Sequence, residues 1–208
     1  MPISDRHFII CLGRQVGSGG LTIARHLANV LDCKVYDKEL INMAAKESGF
    51  AEQFFEKNDE HKGFFHSITH LHLPFASCSN IYRNNLSDEN LYKLQSDVIR
   101  EVADKENCIF VGRTADYILR DRPYVMSVFI TAPMSDRIMR ISESKHITRE
   151  EAQKFIRESE AARSSYYNYY TGKRWGAAES YDLCIDSSLL GIAETERLIA
   201  EVVNKKFK

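Results

Sequence analysis

"FIICLGRQVGSGGLTIARHLANVL", Phe8 to Leu31, decides how this chain folds. Its opening, Phe8 to Leu12, is apolar without polar alternation, the pattern of a strand covered on both faces. Gly13, Gly17, Gly19 and Gly20 then interrupt it. Beyond them Leu21, Ala24, Leu27, Ala28 and Leu31 recur at the spacing of one helix face. Strand, glycine-rich loop and amphipathic helix, in that order, make a cradle for phosphate. Glycine permits the curvature that turns backbone N–H groups inward, and the helix adds its free N–H groups and positive dipole end. The usual pattern, GxxxxGK followed by Ser or Thr, is not met. Counting back from Gly19 puts Arg14 at the first glycine and Gly20 at the lysine. That lysine normally steers the outer phosphates as a point charge. A cation must then come from elsewhere, and Arg14, Arg25 and Lys38 lie near in sequence. The competing reading is a glycine-rich turn of an α/β protein that holds no nucleotide.

Working outward, "CIFVG" (108–112), "VMSVFIT" (125–131) and "YDLCID" (181–186) read as further buried strands, with "KVYD" (34–37) a short fifth. Helical spacing is present in 20–32, 90–105, 135–143, 148–163 and 191–204. Thr148 and Glu151 in "TREE" predict a capping box. Strands alternating with helices predict an α/β fold with a parallel sheet and right-handed crossovers. At 208 residues the chain suits one domain, 1–208. Residues 50–89 break the rhythm. They are aromatic and histidine-dotted, and Phe54, Phe55, Phe64, Phe65 and Phe75 suit an inserted helical subdomain better than a linker.

Composition excludes several classes. Net charge is −1, so no global field draws nucleic acid or an anionic membrane, and an anion site must be built locally. No run approaches the ~18 apolar residues of a membrane span. The five cysteines, 11, 33, 78, 108 and 184, form no CxxC pair. Cys11, Cys108 and Cys184 fall in apolar runs and read as buried free thiols. The N-terminus lacks a signal-peptide shape, and a cytoplasmic location is expected.

"GRQVGSGGLTIARHLANVLDCKVYDKELI" (13–41) resembles the opening of the cytidylate-kinase-like family, a branch of the P-loop nucleoside monophosphate kinases. "VGRTADYIL" (111–119), "YYNYYTGKRWG" (166–176) and "YDLCIDSSLLGI" (181–192) match later segments, so the resemblance spans nearly the whole chain. It implies a five-stranded parallel sheet flanked by helices, with 50–89 on the acceptor side and an arginine-bearing lid over 144–176. It implies ATP with Mg²⁺ on a loop formed by Arg14, Gly17, Ser18, Gly19, Gly20, Leu21 and Thr22, with Thr22 as the metal contact. Arg113 matches the family arginine that holds the acceptor's phosphate, and Asp37 an aspartate beside the acceptor. Val111 and Thr114 replace two family aspartates, for which Asp116 or Asp37 could substitute. Arg157 and Arg163 in "RESEAAR" match the lid arginines. Glu160 is acidic but one step out of register. Arg137 and Arg140 resemble those that begin the lid helix.

The arginines make sense chemically as well. Phosphoryl transfer is mostly positioning and charge neutralisation, and planar guanidinium groups bind phosphate oxygens in pairs. Each could equally be a solvated surface group. Arg113 has the stronger case, because it directly follows a strand and ligands of open α/β sheets bind at strand carboxyl ends. Lys173 and Arg174 could also reach phosphate, against the simpler reading of 164–176 as a lid hinge with tyrosines packed on the core. Ser18 could bond phosphate or only complete the turn. Asp37 could also cap a helix beginning "DKEL". His66 and His70, spaced i, i+4, are read as a polar helix face rather than a metal site. The chain is therefore expected to move the terminal phosphoryl of ATP to a pyrimidine monophosphate such as CMP or dCMP. Its partners would be small nucleotides and not nucleic acid or membrane, with a homodimer left open. A nucleotide-binding regulator with little turnover and a kinase for another small acceptor are the alternatives.

Overall fold

Why the four apolar runs pair as they do is plain from the sheet. A computed structural model describes residues 7–37 and 88–207. The strands are β1 (Ile9–Arg14), β2 (Lys34–Tyr36), β3 (Cys108–Val111), β4 (Val125–Thr131) and β5 (Leu183–Asp186). All pairings are parallel, in the order β2-β3-β1-β4-β5. This is the five-stranded α/β sheet that the sequence predicts. β1 is central and wholly apolar until its end, since both of its faces are covered. Its register sets Leu12 beside Val111 and Val128. The carboxyl ends of β1, β3 and β4 therefore open side by side, where ligands of such sheets bind.

The described helices are α1 (Gly20–Val30), α2 (Asp88–Lys105), the single turn α3 (Ala115–Ile118), α4 (Met134–Lys145), α5 (Arg149–Thr171) and α6 (Ser187–Phe207), with a 3₁₀ turn at Ala178–Ser180. The chain divides into two compact units, Met1–Lys38 with Val102–Lys208, and Glu39–Glu101. In the first, one sheet face packs Ile10, Leu12, Val128 and Ile130 against Ile23 and Leu27 of α1 and Ile199 and Val203 of α6. On the other face Phe129 meets Trp175 and Tyr181, and Tyr181 stacks on Tyr167 of α5. In the second unit, Leu94 and Val98 of α2 are buried, at the expected helical spacing. The readings of 50–87, His66, His70, Cys78, Lys38 and a helix after Asp37 lie outside the described residues.

Three details depart from the sequence reading. α5 continues past residue 163 to Thr171, because nothing in "SSYYNYYT" breaks a helix before the left-handed Gly172 cap. At Gly191, with φ +79°, α6 is kinked rather than beginning there. Cys184 is exposed while Cys11 and Cys108 are buried, since β5 is an edge strand. The capping box forms as expected: Thr148 Oγ1 accepts from the Glu151 amide at 3.2 Å and Glu151 Oε2 from the Thr148 amide at 2.9 Å. No helix among the described residues is long and apolar enough to cross a membrane.

Candidate phosphate-binding site

The loop from Arg14 to Gly20 is held from outside and left open within. Gln15 ties it to β4, its amide donating to Ile130 O at 3.0 Å and its Oε1 accepting from the Ala132 amide at 3.2 Å. The Ser18 hydroxyl is fully buried and donates to Gln15 O at 2.8 Å, so it completes the turn. Ser187 Oγ donates to Ser18 O at 2.6 Å. Arg140 spans the outer side, donating to Gly17 O at 3.3 Å and to Ser188 Oγ at 3.0 Å. Gly17 and Gly19 take φ of +81° and +79°, where a side chain would be strained. A Cβ on Gly17 would also lie 2.8 Å from Arg137 O. Among the described residues the amides of Gly17, Gly19 and Gly20 donate to no protein group. The Val16 amide is different, donating to Glu160 Oε1 at 2.6 Å.

Arginines gather around this turn from four elements. Arg137 of α4 is only 6 % exposed, yet its Nε and Nη1 have no hydrogen-bond partner. Nη1 stands 3.7 Å from the Glu160 oxygen that caps Val16, which directs the guanidinium at the loop. Arg163 Nη1 of α5 donates to Arg14 O at 3.1 Å. Arg113, just past β3, lies over the Tyr166 ring at 5.3 Å. Burial first, then repulsion by Arg163 and Arg113, brings the Arg14 guanidinium down to about 10, against the pull of Asp37 and Glu160. Arg163 is lowered for the same first reason, with Arg113 adding repulsion. Glu160 is raised, because desolvation outweighs the Val16 amide and the cations near it. A cluster of guanidinium groups that repel one another, with too little carboxylate among them, suits a polyanion.

The turn after β3 carries strain as well. Gly112, Arg113 and Thr114 all have positive φ, of 79°, 56° and 54°. Two consecutive non-glycine residues held left-handed are costly, and such geometry collects at functional sites. The turn leads into Asp116, whose carboxylate accepts from Tyr167 Oη at 2.7 Å. Burial pushes that carboxyl up, with Tyr167 and the Lys173 charge pulling it back. The other anticipated residues differ in exposure. Thr22, Arg157 and Lys173 are exposed, and Leu21 and Asp37 are half-buried. Arg157 precedes Arg163 by six residues, which turns it about 120° away around α5. Gln15, Ser187 and Tyr167 were not anticipated, since a polar residue's long-range partner leaves no periodic trace.

Sheet order, loop and convergent arginines together define an α/β protein of the P-loop kinase type. The chain belongs to the cytidylate kinase-like family, whose model matches residues 9–189. No curated protein sequence matches it. An uncharacterized protein from Eubacterium ventriosum ATCC 27560 has a similar structure, with a TM-score of 0.73 at 24% identity over 95% of this chain and 99% of that one. Shikimate kinase from Bacteroides thetaiotaomicron gives 0.53 at 14% identity, over 95% of this chain and 98% of that one. A gluconokinase from Sinorhizobium meliloti 1021 gives 0.53 at 10% identity, over 97% and 93% respectively. At these identities the likeness is one of fold.

Proposed function

We propose that the protein is a nucleoside monophosphate kinase-like phosphotransferase that moves the terminal phosphoryl of ATP to a pyrimidine monophosphate such as CMP or dCMP. The observation that carries the reading is Arg137, buried with two guanidinium nitrogens that make no hydrogen bond among the described residues, beside a loop whose Gly17, Gly19 and Gly20 amides donate to no described group either. Both sets of donors are what a polyphosphate would satisfy. The loop would hold the donor phosphates, and Arg137 and Arg163 would neutralise charge on the moving group. Arg113, with Asp37 and Asp116, would hold the acceptor at the carboxyl ends of β2 and β3. A magnesium ion, where bound, would neutralise charge on the phosphates, with the Thr22 hydroxyl as the side chain that would hold it. The described residues form no cluster of three metal-ligating side chains, so water, the phosphates and Thr22 would complete its shell. An acceptor phosphate is already a competent nucleophile, so no general base is needed.

One observation favours a second reading. Glu160 occupies the Val16 amide, and Gly20 and Val111 replace a cation and an acid, which would suit a nucleotide-binding regulator. A coupled ADP-release assay across a panel of monophosphates separates the two. Turnover with CMP or dCMP is expected. Tight ATP binding without turnover on any acceptor would leave the regulator, and no ATP binding would remove both.

A further inference from the structure

The two departures in the loop are one exchange in space. Arg14 stands where a glycine is usual and Gly20 where a lysine is usual. Arg14 ends β1 in step with Ile10 and Leu12, so its side chain leaves on the sheet face that α1 covers. A Cβ on Gly20 would lie 2.6 Å from Arg14 Cβ and 3.0 Å from Arg14 Cγ. The arginine stem thus fills the space through which a lysine at position 20 would leave the helix. At the far end, Arg14 Nη1 lies where a Cβ on Gly112 would fall. Gly112 adjoins Arg113, and Arg163 is bonded to the Arg14 carbonyl. Among the described residues no group accepts a hydrogen bond from the Arg14 guanidinium.

We propose that Arg14 supplies the charge of the absent lysine, reaching the outer phosphate oxygens of a nucleoside triphosphate from the strand side of the loop, and that Gly20 is glycine so that its side chain can pass. The inference rests on the polyphosphate reading above. A planar guanidinium here would grip two oxygens in parallel, where an ammonium acts as a point charge. The simpler role for Arg14 is internal counter-ion to Asp37 and Glu160. Against it, neither carboxylate accepts a hydrogen bond from the guanidinium, and the Arg163 and Arg113 charges stand close enough to repel it.

Calorimetric titration of the full chain with ATP and with inorganic tripolyphosphate, alongside thermal melts, tests this. Arg14→Ala should weaken both ligands by roughly 10- to 100-fold, as expected for loss of a charge-assisted contact. Gly20→Lys alone should also weaken them, because two stems then compete for one space. The double variant Arg14→Gly/Gly20→Lys should recover to within about fivefold of the wild type. Unchanged affinity in Arg14→Ala with a lower Tm would make Arg14 a counter-ion and overturn the inference. Tighter binding by Gly20→Lys alone would overturn it too, as would a double variant that melts like the wild type yet binds no better than Arg14→Ala. If the wild type binds neither ligand, the polyphosphate reading fails first.

Discussion

Asp116 shows how a single residue here trades stability against use. Its carboxyl is raised chiefly by burial, while Tyr167 donates to it at 2.7 Å. A folded-state pKa above the unfolded one means that the ionised form counts against the fold. The cost is absent in acid and grows as pH climbs from the ordinary value of 3.8 through the raised one. Asp116→Asn keeps an acceptor for Tyr167 and removes that cost. It should raise Tm at pH 7 by roughly 2–4 °C, about 1 kcal/mol for a chain of this size, and flatten the pH dependence of Tm over that window. If Asp116 also holds the acceptor, KM for the acceptor should rise about tenfold in the same variant. Melts across pH and steady-state kinetics read the two effects separately. A lower Tm at pH 7 would show that its interactions outweigh its desolvation.

At the scale of elements, α5 is the piece that organises the site. Glu160, Arg163 and Tyr167 follow one another at i, i+3 and i+7, so one helix face reaches Val16, Arg14 and Asp116 in turn. The helix starts at the Thr148–Glu151 capping box, about 22 Å from Arg163 by helical rise. Thr148→Ala should therefore cost about 1 kcal/mol of stability. It should leave ATP affinity within about twofold of the wild type, because the cap and the arginines share one rigid helix but no contact. Melts and titrations check this, and a loss of affinity beyond that range would mean that fraying at the cap reaches the site. The cap was legible from "TREE" because it is local. The length of α5 was not: aromatics in "SSYYNYYT" fit a hinge or a helix equally well, and burial of Tyr167 against the sheet decides for helix.

Across the whole molecule, what sequence revealed was whatever repeats or is local. Apolar runs gave the strands because a doubly covered sheet leaves no polar alternation. The glycine loop was recognisable because strand, turn and helix adjoin. The pairing of Glu160 with the Val16 amide joins positions 144 residues apart, and no periodicity marks it. Nor could Arg137 be told from a solvated surface arginine, since its burial depends on α4 packing beneath Gly17. That burial supports a last prediction. A buried charge held, among the described residues, only by a 3.7 Å ion pair with Glu160, with two nitrogens short of hydrogen bonds, is costly, so Arg137→Gln should leave the unliganded Tm unchanged or higher. In the wild type, tripolyphosphate at a hundred times its Kd should add about 2.7 kcal/mol of stability, or roughly 5–10 °C in Tm. Arg137→Gln should lose more than half of that shift, and cytidine or adenosine without phosphate should cause none in either protein. Amide exchange at Gly17, Gly19 and Gly20 should slow only with the polyphosphate. A variant with a lower unliganded Tm and an undiminished ligand shift would make Arg137 a structural partner of Glu160. Its unpaired nitrogens would then count for nothing in binding.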